Sequence, residues 1–196
     1  MKPKLIYLAR RQPTLTRDEF ILRWRRHGAL GMSLPRWTNV WRYTHNDISP
    51  EDRSRSYDGV GMVWHRSPEA RLAHREDRTS QSAMERDELE TFDDLIARSC
   101  ALYREEVVVA PSLGKRTKVI RLWEGDPGTA SGIANSACGF VRNRRMPPQT
   151  AAWGLPYALI EELWFADAAA AMDALGDRLA PSLLVEETVL YRTRQV

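Results

Sequence analysis

The chain repeats itself at a spacing of 100 residues, and this repeat constrains the fold more than any other feature. Tyr57 is matched by Tyr157 and Trp64 by Trp164, with no gap between them. Each copy predicts a strand of about eight residues, then a polar N-cap such as Ser67, then a helix. Self-similarity at a fixed spacing indicates that one supersecondary unit occurs twice.

Two further pairs of predicted strands occur in the same order in both copies, at spacings other than 100 residues. Residues 4–8 correspond to residues 118–122 near the start of each copy, and residues 105–109 correspond to residues 186–190 near each end. Both members of the second pair begin with two glutamates, which alternate between the faces of a strand. The recurrence predicts an architectural or interface role for these glutamates rather than acid–base chemistry.

The helix after the first strand is well marked. Thr16 and Glu19 form a capping box, and Phe20, Trp24 and His27 follow on one face. We expect this helix to end near His27.

The next segments are less regular. Residues 37–45 predict a strand rich in aromatic and β-branched residues. The polar residues 74–88 are typical of a mobile loop or a solvated helix edge, with a lid as the alternative. A helical pattern is predicted to resume over residues 87–100. In the second copy, the strand expected around residues 151–153 is only weakly indicated.

Each copy is therefore predicted to be a β-α-β-β-α-β unit. A four-stranded antiparallel sheet with both helices on one face leaves its other face apolar and uncovered, and a second sheet can bury it. We expect an α+β fold of tandem ferredoxin-like βαββαβ modules that form a dimeric α/β-barrel-like pair within one chain. Residues 1–112 would be the first module and residues 113–196 the second, degenerate one, with a linker at 111–114.

Composition excludes several classes of function. The net charge is +3, but the arginines are spread along the chain, whereas nucleic-acid binding needs basic residues clustered on one face. The two cysteines have no zinc-binding spacing, and no phosphate loop or nucleophile elbow is present. No apolar stretch approaches the length of a signal or membrane helix. We expect a cytoplasmic protein that binds a small molecule, with no cofactor, metal, nucleic acid or membrane partner.

The histidines indicate which copy carries a site. All four, His27, His45, His65 and His74, lie in the first copy. In the second copy Ala158 replaces Asp58, Phe165 replaces His65, and the helix position equivalent to His27 is expected near Val141. The second copy keeps the framework and loses polar groups, so the site is predicted in residues 1–112.

The first copy resembles the EthD family of the dimeric α/β-barrel superfamily over about residues 3–110. The resemblance is carried by an ordered set of residues: Arg10, Arg11, Gln12, Pro13, Leu15, Thr16, Phe20, Trp24, His27, Leu30, Tyr43, His45, Asn46, Tyr57, Asp58, Gly59, Trp64, Asp87 and Phe92. It implies cofactor-free enzymes acting on aromatic and polyketide-like compounds.

Four residues are candidate catalytic groups: His27, Tyr43, His45 and Asp58. A histidine at a helix C-terminus can serve as acid or base near neutral pH, or it can simply cap the last carbonyls. Tyr43 and His45 share a strand face, on which Trp41 is also expected, so an aromatic core stripe is the alternative. Asp58 could orient a histidine or accept bonds from backbone amides, and the second role is the commoner one.

Four aromatic residues are expected to form apolar walls for a substrate: Phe20, Trp24, Trp41 and Trp64. His65 and His74 are expected at the surface. The favoured function is a cofactor-independent lyase, cyclase or isomerase that acts by general acid–base catalysis on a hydrophobic, oxygenated small molecule. A cofactor-free monooxygenase or accessory oxidoreductase is the first alternative, and a non-catalytic ligand-binding protein is the second. The chain would be either a monomeric pseudo-dimer or a homodimer.

Overall fold

The computed structural model describes residues 2–52, 56–111, 116–125, 127, 136–147, 154–175 and 182–193. Within these residues eight antiparallel strands close into a barrel, with helices outside it. The strands are β1 (Pro3–Ala9), β2 (Val40–Ile48), β3 (Gly59–His65), β4 (Cys100–Val109), β5 (Thr117–Trp123), β6 (Gly139–Arg145), β7 (Leu159–Phe165) and β8 (Ser182–Arg192). The helices are α1 (Arg17–Ser33), α2 (Pro68–Glu76), α3 (Arg78–Thr91) and α4 (Ala168–Leu175), with short 3-10 helices at Pro35–Asn39 and Ile96–Arg98.

The two halves of the chain have the same strand order. Around the barrel the order is β1-β3-β2-β8-β5-β7-β6-β4, so the first half contributes β4-β1-β3-β2 and the second half β8-β5-β7-β6. The halves join through the pairs β2–β8 and β4–β6. The predicted α+β class and barrel-like pairing of two sheets are confirmed. Most of the segment between β5 and β6, where a second module would have its first helix, lies outside the described residues, so the division into two ferredoxin-like modules stays a prediction.

In the first half, the predicted helix over residues 87–100 is wrong beyond Thr91, where α3 ends. The polar segment before it forms α3, whose N-cap Asp77 accepts a bond from the backbone N–H of Ser80, and whose inner face buries Met84 and Glu88. The chain leaves the helix after Thr91. Most of the polar residues 74–88 therefore form a solvated helix edge, one of the roles predicted for them.

Two other predicted boundaries also differ. The strand expected from residue 37 begins only at Val40, because Pro35 starts a 3-10 helix ahead of it. In the second half the strand after β5 is β6, which contains Val141, so the expected helical equivalent of His27 is not there. The predicted strand at 151–153 lies outside the described residues.

Side chains alternate between the barrel interior and the helix-covered outer faces. Ile6, Met62 and Ile120 belong to one interior core, while α1 packs on the outer face of the first half and α4 on that of the second. A cavity between a sheet and the helices that cover it therefore lies outside the barrel interior.

An ion cluster lies buried inside the barrel. Nζ of Lys4 bonds Glu105 at 2.8 Å and also contacts Glu162, while Nζ of Lys118 lies 2.7 Å from Glu162 and 2.6 Å from Glu187. One glutamate of each repeated pair, Glu105 and Glu187, thus has the predicted architectural role. Because Glu162 binds the lysine of each half, it joins the two sheets.

A β-bulge decides which way Trp41 points. The register between β2 and β3 shifts between Val40 and Arg42, so Trp41 turns into the interior core, where its ring centroid lies 6.3 Å from that of Trp64. Tyr43 faces the helices instead. The expectation that Trp41 shares the face of Tyr43 is wrong, because strict alternation does not hold across a bulge.

Among the described residues, no helix combines the length and apolar character that crossing a membrane would require.

Candidate active site

A cavity of about 500 Å³ lies between the outer face of the first half's sheet and helices α1, α2 and α3. That volume is in the range of small-molecule sites. Its apolar lining includes Leu5, Trp37, Val63, Met84, Leu95 and Ile96. Its polar lining includes Tyr7, His27, Arg36, Tyr43, Arg71, His74 and Glu88.

Helix α1 carries the first polar group of the cavity. The predicted capping box is present, but the helix runs to Ser33, so His27 lies in its interior and does not cap it. The helix continues because Gly28 and Gly31 serve close packing. A Cβ on Gly28 would lie 3.3 Å from the Tyr43 ring, and one on Gly31 would lie 3.4 Å from Met84. Gly28 and Gly31 resemble a helix stop in the sequence, but they allow α1 to pack closely on the sheet and on α3.

His27 is paired with Asp87 of α3. Nδ1 of His27 lies 2.7 Å from one oxygen of Asp87, and Arg23 donates to the other oxygen at 2.7 Å. The hydrogen bond from His27 lowers the pKa of Asp87, which therefore stays ionised and accepts a hydrogen from Nδ1. In the neutral ring the lone pair is then on Nε2, and His27 lines the cavity.

A buried chain of hydrogen bonds forms a second part of the cavity wall, the tyrosine wall. Trp24 donates to the hydroxyl of Tyr7 at 3.0 Å, the hydroxyls of Tyr7 and Tyr43 are 2.9 Å apart, and Nε2 of His45 bonds Tyr43. Nη1 of Arg25 lies 2.6 Å from Nδ1 of His45. The predicted pairing of Tyr43 with His45 on one strand face is confirmed.

Both ends of this chain are groups that can only donate. Because Arg25 donates to Nδ1 of His45, the imidazole must carry its hydrogen on Nε2 and donate to Tyr43. Burial, followed by the charge of Arg25, lowers the pKa of His45 well below its usual value, which keeps the ring neutral. At the other end, Trp24 donates to Tyr7. The hydrogen bond between the hydroxyls of Tyr7 and Tyr43 uses one of their two hydrogens, so one hydroxyl hydrogen is not used within the chain of bonds. Both tyrosines line the cavity, and burial raises the pKa of each.

Two glycines of β3 make room for this wall. A Cβ on Gly61 would lie 2.0 Å from the ring of Tyr7, and one on Gly59 would lie 2.3 Å from the ring of Trp24. Gly61 is also directly opposite Tyr7 in the β1–β3 register. The absence of side chains at these two positions lets the aromatic rings pack closely against the strand.

Asp58 is not in the cavity. One carboxylate oxygen accepts the backbone N–H of Arg11 at 2.9 Å and the other contacts the guanidinium of Arg11. The expected alternative of orienting His27 is wrong, because Asp87 has that position. Asp58 bonds a backbone amide at the strand entry, the commoner role named for it.

The four predicted aromatic walls do not line the cavity either. Phe20 and Trp24 are fully buried behind it, where Trp24 stacks on His45 with ring centroids 3.8 Å apart. Trp41 and Trp64 lie inside the barrel. The expected surface position of His65 is also wrong, since it is fully buried, with its ring centroid 5.0 Å from that of His74.

Tyr7 and Glu88 are the main polar groups that sequence reasoning missed. Tyr7 alternates with the interior residues of β1, and this parity, together with a glycine opposite it, was the available signal. Glu88 is buried on α3 and accepts the backbone N–H of Ile96 at 2.9 Å, while burial raises its pKa. No group of three or more potential metal ligands occurs in the part of the chain that the structure describes.

Comparison with known proteins finds a family match within the first half of the chain. Residues 12–96 match the model of the EthD domain. This segment contains His27, Tyr43 and Asp87 but not Tyr7. No curated protein matches the sequence.

Solved structures share the fold over nearly the whole chain. An anthrone oxidase-like protein matches with a TM-score of 0.57 at 10% identity, covering 96% of this chain and 92% of that one. A proposed monooxygenase of Lactobacillus acidophilus NCFM has a TM-score of 0.52 at 9% identity, with 97% and 96% covered. A mutant chlorite dismutase of Candidatus Nitrospira defluvii has a TM-score of 0.51 at 9% identity, with 95% and 91% covered. Identities this low establish the fold alone.

Proposed function

We propose that this chain, whose residues 12–96 match the EthD domain, is an enzyme that moves a proton beside a carbonyl group of a hydrophobic, oxygenated small molecule of aromatic or polyketide-like type. The reaction would be that of a lyase, cyclase or isomerase and would need no cofactor. The observation that carries the proposal is the meeting, in one cavity, of a carboxylate-oriented histidine and a hydroxyl group with a hydrogen to spare.

His27 is the proposed acid–base group. Its neutral ring presents the lone pair of Nε2, which takes a proton from carbon next to the substrate carbonyl and later returns it. Asp87 fixes the tautomer and stabilises the imidazolium that forms. Arg23 holds Asp87 in place from the other oxygen.

The tyrosine wall is the proposed electrophile. Negative charge develops on the carbonyl oxygen as the proton leaves, and a preorganised hydrogen-bond donor stabilises that charge. The leftover hydrogen of Tyr7 or Tyr43 is such a donor. His45 and Arg25 do not reach the substrate in this scheme; they fix the direction of the hydrogen bonds.

The second half is proposed to be a structural partner. We infer that residues 1–112 and 113–196 are tandem ferredoxin-like modules, which the shared strand order supports. The second module would close the barrel and contribute no acid or base. On this scheme the single chain suffices for one site, and a homodimer is not needed to complete it.

Hydrogen exchange tests the proposal without knowledge of the natural substrate. The protein is incubated in D₂O with 1-indanone, a bicyclic ketone, and loss of the hydrogens next to the carbonyl is followed by NMR. We expect exchange above the buffer rate, abolished in His27→Ala, with nearly unchanged thermal unfolding. A variant that melts far lower would favour a structural role for His27. Tight binding that survives His27→Ala, with no exchange and no product by mass spectrometry, would favour a ligand-binding protein.

A cofactor-free monooxygenase is the second candidate, and the names of two of the similar structures favour it. The same base would generate an electron-rich carbanion or phenolate, which would then react with dioxygen. Oxygen uptake with anthrone as a probe separates this from a lyase or isomerase. Uptake that depends on His27 would favour the oxygenase, and its absence, together with ketone exchange, would favour the first proposal.

A further inference from the structure

The basic end of the cavity is formed by Arg36, from the 3-10 helix at Pro35–Asn39, and by Arg71 and Arg75 of α2. Six arginines line the cavity as a whole, against the acidic residues Glu85 and Glu88, and one of the six, Arg98, pairs with Asp94 at 3.0 Å. The six arginines are Arg36, Arg71, Arg75, Arg78, Arg98 and Arg145.

Arg71, on α2, is the arginine whose surroundings are least consistent with a purely structural role. It is half-buried, its Nε is buried with no hydrogen-bond partner, and its guanidinium forms no ion pair with any residue in the described ranges. Burial lowers its pKa. A cation withdrawn from water without a counter-ion destabilises a fold, so an unpaired one at a cavity wall indicates that its partner is not part of the chain.

Arg36 lies near Arg71, and carboxylates neutralise its charge only in part. Its Nη1 donates to Gln81 at 2.7 Å, and Gln81 in turn donates to Glu85 at 2.8 Å, so the carboxylate is reached through an amide. Nε of Arg36 is buried without a partner, as in Arg71. Glu88 is not within ion-pair distance of either arginine, but its charge, with those of Asp77 and Glu85, partly offsets the lowering of the pKa of Arg36 by burial.

The neighbouring side chains of His74 and Cys100 do not neutralise the charge of these arginines. Nδ1 of His74 lies 3.1 Å from the backbone oxygen of Arg36. Burial, followed by the charges of Arg36 and Arg71, lowers the pKa of His74 to about 3, so its ring stays neutral. The thiol of Cys100, which also lines the cavity, has a pKa raised by burial to about 11 and is neutral too.

We infer that this basic end binds a carboxylate of the ligand, with Arg71 as the principal contact and Arg36 as the second. The planar guanidinium matches a carboxylate in two parallel hydrogen bonds, and the unpartnered Nε of each arginine is one of the donors such a pair uses. The ligand class is therefore an aromatic or polycyclic carboxylic acid that also carries a carbonyl or phenolic oxygen. This inference rests on the proposed function for that second oxygen, which faces the tyrosine wall, while the carboxylate occupies the arginine end.

The chemistry of Arg71 also predicts a conflict between stability and binding. Removing an unpaired, half-buried cation relieves a desolvation cost, so Arg71→Met should unfold at the same or a higher temperature while binding the acid more weakly. A residue kept for structure would show the opposite sign in stability.

Binding of a matched pair of probes tests the inference. The probes are 2-naphthoate and its uncharged isostere 2-naphthamide, followed through the fluorescence of the cavity residue Trp37 and the other tryptophans. We expect naphthoate to bind at least about tenfold more tightly than naphthamide. Arg71→Met should remove this difference without weakening naphthamide binding. Arg86→Met, at an exposed arginine of α3 outside the cavity, is the matched control and should change neither affinity.

The outcomes separate this inference from the proposed function. No naphthoate binding at millimolar concentration, equal affinity for both probes, or an equal loss in Arg71→Met and Arg86→Met would overturn it. A marked fall in the unfolding temperature of Arg71→Met would assign Arg71 to the fold and overturn it as well. The ketone-exchange measurement uses an uncharged compound, so it can fail while naphthoate selectivity holds, and the reverse.

Discussion

Nδ1 of His27 lies 2.7 Å from Oδ2 of Asp87, and these residues come from α1 and α3, 60 positions apart. The contact makes Nε2 the atom of His27 that can exchange a proton with a ligand. The packing of α1 against α3 thus determines which nitrogen of His27 takes part in the proposed chemistry.

Asp87→Asn should lower kcat/KM by about a hundredfold or more, because an amide no longer fixes the tautomer or stabilises the imidazolium. Steady-state kinetics of the single variants and of the double variant with His27→Ala would measure this. Once His27 is absent, loss of Asp87 should cost little more, since the two act as one unit. Glu90→Gln is the control, because Glu90 binds the other partner of Asp87, Arg23, and is largely exposed. Equal losses in Asp87→Asn and Glu90→Gln would count against the assignment.

Tyr7→Phe and Tyr43→Phe should each reduce kcat more than they change KM, because the leftover hydroxyl hydrogen acts on charge that develops during the reaction. Each should also lower the free energy of unfolding by about 1–3 kcal/mol, since a buried donor loses its acceptor. The double variant should lose less than the sum, because both tyrosines belong to one chain of bonds. Tyr103→Phe is the control: its hydroxyl bonds the backbone of Tyr157 inside the barrel, so stability should fall without a change in kcat. A Tyr103→Phe variant with the same kinetic loss would show that these effects are structural.

Gly61→Ala should destabilise the protein by about 1–3 kcal/mol, because the new Cβ would lie 2.0 Å from the Tyr7 ring and force it to move. Moving the ring also breaks the bond between Trp24 and Tyr7, so activity should fall with stability. Gly125→Ala is the matched control, since its Cβ would meet nothing within 4 Å. Chemical denaturation of both variants would show the difference, and a neutral Gly61→Ala would mean that Tyr7 is not held against the strand.

The repeat predicted the barrel because it is a pattern of whole strands, and each set of strands leaves an apolar sheet face that a second sheet can bury. It did not predict the bulge at Trp41, since a one-residue shift leaves the composition of the strand unchanged. Nor did it predict the extent of α1, because Gly28 and Gly31 look like breakers until the packing against Tyr43 and Met84 is known.

Hydrogen-bond partners were predicted where both lie on one element and missed where they do not. Tyr43 and His45 are two positions apart, so strand geometry alone brings them together. The partners of His27 and Tyr43 across the fold, Asp87 and Tyr7, depend on how α3 and β1 pack, and local sequence contains no measure of that. Asp58 precedes a glycine at a strand entry, and its backbone contact is a common use of that position.

Glu162 gives the last prediction, one of pH dependence. Although burial alone would raise its pKa, the ammonium groups of Lys118 and Lys4 hold the pKa of this carboxyl well below its usual value. In the unfolded chain the carboxyl takes up its proton at about pH 4.3. Its stabilising contribution is therefore complete above that pH and is lost as the pH falls, because the unfolded state then binds the proton more readily than the folded state.

The free energy of unfolding should thus fall more steeply between about pH 5 and pH 3 in the natural protein than in Glu162→Gln. At neutral pH the variant should be less stable by about 3–5 kcal/mol, since the buried ammonium groups of Lys4 and Lys118 lose a shared partner. Denaturant titrations at several pH values would measure both effects. Glu106→Gln, at an exposed glutamate 3.7 Å from Arg144, should change stability by no more than about 1 kcal/mol. Parallel pH profiles for the natural protein and Glu162→Gln would show that Glu162 does not join the two sheets through its charge.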